Sequence, residues 1–106
     1  MRIITHDDGR CLTLRLLGEL DHAAAQEVMP GIEDAVEEYL PRRCVLDLSG
    51  LSFMDSSGIG VMMGRYRKLS LTGGEVWAAN LNERMKKILK MSGAAKIIRI
   101  YEEERR

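Results

Sequence analysis

The period of apolar and polar positions changes several times along the chain, and each change marks an element. Residues 2–5 are a short apolar run, closed by Asp7-Asp8-Gly9-Arg10; Cys11, Leu12, Leu14, Leu16 and Leu17 then alternate imperfectly up to Gly18. This pattern predicts two strands joined across Asp8-Gly9, a hairpin turn pair, with Gly18 ending the second. From Asp21 the period lengthens. Ala25, Val28, Met29, Ile32, Ala35, Val36, Tyr39 and Leu40 follow helical spacing, and the Asp21 carboxylate can cap that helix from His22 onward. Pro30-Gly31 lies inside the run and predicts a kink or a restart, because an interior proline removes a hydrogen bond and costs about 3 kcal/mol.

The second half repeats the alternation of strand and helix. Arg43–Leu48 (RCVLDL) predicts a compact strand, apolar enough to be central in a sheet. Residues 57–69 predict a helix with Ile59, Met62, Met63, Tyr66 and Leu69 on one face and Arg65, Arg67 and Lys68 mostly off it. Gly73-Gly74 ends that unit, and Glu75–Ala79 (EVWAA) is a short apolar strand. Asn82 caps a helix carrying Met85, Ile88 and Leu89, Gly93 stops it, and Lys96–Tyr101 is a final strand before a frayed tail, EEERR. The order β-β-α-β-α-β-α-β predicts an α/β fold: one domain over 1–106, with a mostly parallel central sheet of about five strands, right-handed crossovers and helices packed on it.

Composition narrows the function. Sixteen basic and sixteen acidic residues cancel to zero net charge, which argues against a general nucleic-acid binder. No apolar run approaches the roughly 20 residues of a membrane helix, and MRIITHDDGR has no apolar signal core, so a cytoplasmic protein without a membrane partner is expected. Cys11 and Cys44 sit in apolar contexts with no CxxC motif and read as small buried strand residues. His6, Asp7 and Asp8 are adjacent, a spacing that seldom converges on one ion, so no metal site is expected.

The stretch SFMDSSGIGV, residues 52–61, carries the candidate chemistry. A nucleophilic serine needs a base and an orienting acid; the chain has only His6 and His22, and DSSGIG does not match the GxSxG elbow of esterases. Gly58, Gly60 and Gly64 form GxGxxxG, one residue off the dinucleotide fingerprint, but ten residues, Ser49 to Gly58, follow Leu48 before the helix is under way, and there is no GK[ST]. Those glycines fit close helix packing or a flat first turn better than a nucleotide. Asp-Ser-Ser-Gly also reads as a plain helix start, with hydroxyl or carboxylate capping the first turn. The free N–H groups and macrodipole of such a start favour negative charge, so the loop is also a plausible phosphate position. On the residues alone, cap and anion position both stand, and Ser56 is not separated from Ser57.

SFMDSSGIGVMMGRY closely resembles the phosphorylation segment of bacterial anti-sigma factor antagonists, the small STAS-domain proteins. GELDHAAA (18–25) resembles their second motif and MSGAAKIIRI (91–100) their last helix-to-strand passage, so the likeness covers nearly the whole chain. The wording around the serines is more similar to the sporulation branch of the family than to the general stress-response branch, which is the alternative reading; a small nucleotide-binding domain is a third. The resemblance implies a regulator that is not an enzyme. Its unphosphorylated form binds an anti-sigma factor that is also a serine kinase, and so releases a sigma factor. The kinase then phosphorylates it with its own bound ATP, and a serine phosphatase reverses the mark; no cofactor belongs to the antagonist itself. The resemblance also implies Ser56 as the phosphorylated residue and a partner surface of Asp21, His22, Asp55, Ser56, Ser57, Gly58, Ile59 and Gly60. Two departures from the family pattern are Pro30-Gly31 in the first helix and a C-terminal helix that looks short or absent.

Overall fold

The computed structural model describes residues 1–101. The elements are β1 (Arg2–Asp7), β2 (Cys11–Leu20), α1 (His22–Tyr39), β3 (Arg43–Met54), α2 (Ser57–Ser70), β4 (Glu75–Ala79), α3 (Glu83–Met91), a 3-10 turn (Ala94–Lys96) and β5 (Arg99–Tyr101). The five strands form one sheet in the order β1-β2-β3-β4-β5. β1 pairs antiparallel with β2, and the other three pairings are parallel. The expected α/β architecture is therefore the observed one, with β3 in the centre. The expected frayed tail, and with it the expectation of a short or absent C-terminal helix, concerns 102–106, outside the described residues.

Sequential strand order with crossovers of one hand puts the three helices on one face of the sheet. The strands alternate accordingly. Leu12, Leu14, Leu16, Cys44, Leu46, Leu48, Val76 and Ala78 are buried under the helices with Ile32, Val36, Met62, Leu69, Met85 and Leu89. Cys11, Thr13, Arg15, Val45, Asp47 and Trp77 point to the other face, which no described helix covers. Cys44 is buried as expected, but Cys11 is only half-buried. Because Leu12, not Cys11, is the partner of Cys44 in the β2–β3 register, the two thiols lie on opposite faces and cannot pair.

The capping assignments hold at both predicted positions. Asp21 Oδ1 accepts from Ala24 N at 2.9 Å, and Asn82 Oδ1 accepts from Met85 N at 2.8 Å. The Asp8-Gly9 hairpin forms with Gly9 at φ +96°, a value glycine adopts without a Cβ penalty.

Five expectations are corrected. α1 is one continuous helix through Pro30, not a restart. Pro30 and Gln26, whose carbonyl loses its donor, are both exposed, so water can serve that carbonyl. β2 runs past Gly18 to Leu20, and β3 runs past Leu48 to Met54, six residues beyond the expected end. Register shifts between Arg15 and Leu17 and between Gly18 and Glu19 let β3 carry extra residues opposite β2, so Ser49-Gly50 lies within an irregular strand and not in a loop. β5 is shorter than expected, since Ala94–Lys96 wind into the 3-10 turn. Arg65 is buried rather than off the packed face, at 3% exposure, with Nη2 donating to Glu33 Oε1 of α1 at 3.0 Å.

Candidate functional site

Parallel pairing of β2 with β3 places Leu20 opposite Met54. The next residues of each strand, Asp21 and Asp55, are therefore neighbours at the same edge of the sheet. Asp55 N donates to Leu20 O at 3.3 Å, which ties the two strand ends together. Each aspartate then starts a helix: Asp21 caps α1, and Asp55 Oδ1 accepts from Ser57 N at 2.8 Å at the start of α2. His22, the first residue of α1, is exposed beside Asp21.

The strand-to-helix turn at Asp55-Ser56 is short because β3 continues to Met54. Within it, Gly58 N donates to Asp55 O and Ile59 N to Ser56 O, each at 3.1 Å. The first N–H groups of α2 are thus engaged internally rather than free, and the helix macrodipole alone remains to favour an anion there. The carboxylate of Asp55 does the capping. Ser56 makes no side-chain cap hydrogen bond.

This separates the two serines. Ser56 is exposed, and no hydrogen bond holds its hydroxyl among the described residues; Ser57 is half-buried behind it, with its N–H tied to Asp55. The glycines divide as well. A Cβ on Gly58 would lie 2.6 Å from Cγ and Sδ of Met54 and 3.1 Å from Cδ2 of Leu20, so Gly58 lets α2 sit close to both strand ends. A Cβ on Gly60 or Gly64 would meet nothing within 4 Å. Gly60 is exposed and keeps the surface after Ser56 flat, while Ile59 is half-buried beside it. Asp21, His22, Asp55, Ser56, Ser57, Gly58, Ile59 and Gly60 thus belong to one edge, formed by the ends of β2 and β3 and the starts of α1 and α2.

Two further residues lie at this edge. Phe53 is 37% exposed, and the guanidinium of Arg84 in α3 lies 5.6 Å from its ring centroid. Phe53 lies beyond Leu48, where the sequence predicts the end of β3. Its alternation with buried Met54 was the available signal. Arg84 had none, since it reaches Phe53 only through the fold.

Among the described residues, no three His, Cys, Asp or Glu side chains are grouped to hold a metal ion. No described helix is long and apolar enough to cross a membrane.

A five-stranded, mostly parallel sheet with an exposed serine between a central strand and its following helix defines a class. The family model for the STAS domain matches residues 2–106, and the chain belongs to that family. Over 93 residues it is 41% identical to an anti-sigma F factor antagonist of Paenibacillus polymyxa, covering 88% of this chain and 80% of that one. It is 30% identical to an anti-sigma-B factor antagonist of Listeria monocytogenes, covering 78% of this chain and 72% of the relative. Among solved structures it resembles the anti-sigma factor antagonist SpoIIAA in its unphosphorylated form, with a TM-score of 0.80, 28% identity and coverage of 96% and 90%. It also resembles the phosphorylated form of SpoIIAA, a Bacillus cell fate determinant, with a TM-score of 0.72, 29% identity and coverage of 96% and 93%.

Proposed function

We propose that this chain is an anti-sigma factor antagonist switched by phosphorylation of Ser56. The observation that carries the reading is the state of that side chain: exposed, making no cap hydrogen bond and, among the described residues, no other hydrogen bond, at the edge that Asp21 and Asp55 organise. A hydroxyl with a structural task would have to leave it before reacting; this one has none.

In the proposed cycle, the unphosphorylated chain binds an anti-sigma factor through Asp21, His22 and Asp55–Gly60, and the sigma factor is released. The anti-sigma factor is also a serine kinase with bound ATP. Ser56 Oγ attacks the γ-phosphorus, the bond to the bridging oxygen breaks, ADP leaves, and the hydroxyl proton passes to a base of the kinase. A serine phosphatase restores the hydroxyl by hydrolysis. The chain is a substrate and a ligand in this scheme, not a catalyst, and it works in the cytoplasm. Its 41% identity to an anti-sigma F factor antagonist, against 30% to an anti-sigma-B factor antagonist, supports a sporulation-type partner over a stress-response one.

The switch follows from charge and solvation. Phosphorylation adds about −1.5 to −2 charges and three acceptor oxygens. Within the free protein the group would stay in water. In a contact it must be stripped of water or repelled, a mismatch of several kcal/mol, and each 1.4 kcal/mol is a factor of ten in affinity. Affinity changes without any rearrangement of the fold.

Capture of an anti-sigma F factor by the immobilised chain, with ADP or with ATP, tests the reading. Retention with ADP and release with ATP are expected; no retention under either condition refutes it. Titration of the chain alone with ATP or GTP separates it from a nucleotide-binding domain, and no binding at Gly58–Gly64 is expected.

A further inference from the structure

The opposite end of the sheet holds a second built feature. β2, β3 and β4 run parallel, so Cys11, Arg43 and Glu75 start their strands side by side. At a strand rise of about 3.3 Å, the ten residues of β2 put roughly 30 Å between this end and Ser56. A cavity of about 520 Å³ opens here, lined by Asp8, Arg10, Cys11, Arg42, Arg43 and Glu75.

The charges in this cavity do not balance. Asp8 Oδ1 accepts from Arg10 N at 3.1 Å and from Cys11 N at 2.8 Å. The N–H groups of Cys11 and Arg10 hold the Asp8 carboxyl below its ordinary value, so it stays ionised and serves the turn. Glu75 is shared by Arg43 at 4.0 Å and Arg99 at 2.9 Å. Arg43 also lies over the Trp77 ring, 4.4 Å from its centroid. Arg10 and Arg42 have no acidic partner among the described residues. Their backbones are nevertheless locked together, because Arg42 N and Arg43 N both donate to Arg10 O, at 3.0 and 3.1 Å. The fold thus holds two arginines that lack an acidic partner among the described residues next to each other along the backbone, and beside a third, Arg43.

We infer that this cavity binds a small multivalent oxyanion of the phosphate class, a di- or triphosphate, held by Arg10, Arg42 and Arg43. Guanidinium forks take phosphate oxygens two at a time, and their geometry is set by the planar group rather than by rearrangement. The space exceeds that of one phosphate group. The acids Asp8 and Glu75 at its walls disfavour a long polyanion lying across it, and the chain has no net positive charge to attract one. This site is independent of the Ser56 reading and stands if that reading fails.

Titration of the ¹⁵N-labelled chain with sodium pyrophosphate, against sodium chloride at matched ionic strength, tests the inference. Saturable shifts are expected at the amides of Arg10, Cys11, Arg42 and Arg43, with Ser57–Gly60 unmoved. The double variant Arg10→Gln/Arg42→Gln should bind pyrophosphate about tenfold or more weakly, the loss expected for removing charge-assisted hydrogen bonds. Lys87→Gln/Lys90→Gln, with the same change in net charge at exposed α3 positions, should bind like the parent. The spectrum of each variant reports its folding directly. Shifts that follow sodium chloride equally, equal weakening in both double variants, or saturation only at the start of α2 would overturn the site.

Discussion

Ser56→Asp places a fixed negative charge where the phosphate would sit, and its two consequences differ in size. For the free protein nothing is lost, since the Ser56 hydroxyl caps nothing and is exposed. The new carboxylate faces that of Asp55. At about 6 Å such a pair costs about 0.7 kcal/mol in a water-like dielectric and about 2.8 at an effective dielectric of 20. Exposure of the position selects the lower figure. The N-terminus of α2 returns about 0.3–1 kcal/mol, so the net change is near zero. For a domain this size, 1 kcal/mol moves Tm by about 4–8 °C, and Ser56→Asp should melt within a few degrees of the parent. Binding to the anti-sigma factor should instead fall about a hundredfold, because 2.8 kcal/mol of desolvation and repulsion at the contact suffices for that. Aspartate carries one charge where phosphate carries up to two, so this is a lower bound for the proposed phosphate. Urea melts and calorimetric titration of the parent, Ser56→Ala and Ser56→Asp read both quantities, with Ser56→Ala expected to bind. Loss of more than about 2 kcal/mol of stability in Ser56→Asp, or undiminished binding, would refute the reasoning.

Other outcomes follow from the same contacts. Glu33→Ala strands the Arg65 guanidinium, whose Nε and Nη1 already lack partners; urea unfolding should register a loss of about 1–3 kcal/mol, below the usual 3–5 for a broken buried pair because Glu33 is itself 45% exposed. Arg65→Met should be near neutral or stabilising in the same assay, since an apolar replacement removes the buried charge altogether. Asp55→Ala removes the cap on Ser57 N and should cost about 1 kcal/mol, while Asp55→Asn should retain most of it; thermal melts compare the two. Burial pushes the Cys44 thiol up to about 12, so a thiol reagent at pH 8 should titrate one cysteine, Cys11, in the folded chain and both in urea. The sign for stability is that of a raised pKa: the contribution of neutral Cys44 is complete below the thiol's ordinary value of 9.0 and is lost as pH rises from there toward 12.

Local signals were legible in the sequence. The caps at Asp21 and Asn82, the Asp8-Gly9 hairpin, the number and order of elements and the central place of RCVLDL all depend on residues near in sequence. What failed depends on partners far along the chain. Ser49-Gly50 looks like a strand end because Ser and Gly are weak strand formers, yet β2 supplies a paired strand beside them, and the bulges accommodate the extra residues. Pro30 costs α1 a hydrogen bond, but Val28, Ile32 and Val36 anchor both sides of it in the core, so packing keeps the helix whole. Arg65 reads as a surface cation until Glu33 of α1 is brought to it. At the candidate site, residue types marked the segment without ranking its serines. In the sequence only the family resemblance ranks Ser56 over Ser57; the fold adds a physical reason, since of the two only Ser56 is both exposed and unengaged in the cap.

Phosphopeptide mapping after incubation of the chain with an anti-sigma F factor kinase and ATP tests the central claim most directly. The account predicts stoichiometric phosphate on Ser56, none on Ser57, and loss of labelling in Ser56→Ala. Phosphate on Ser57 with Ser56 unmodified, or undiminished labelling of Ser56→Ala, would contradict it.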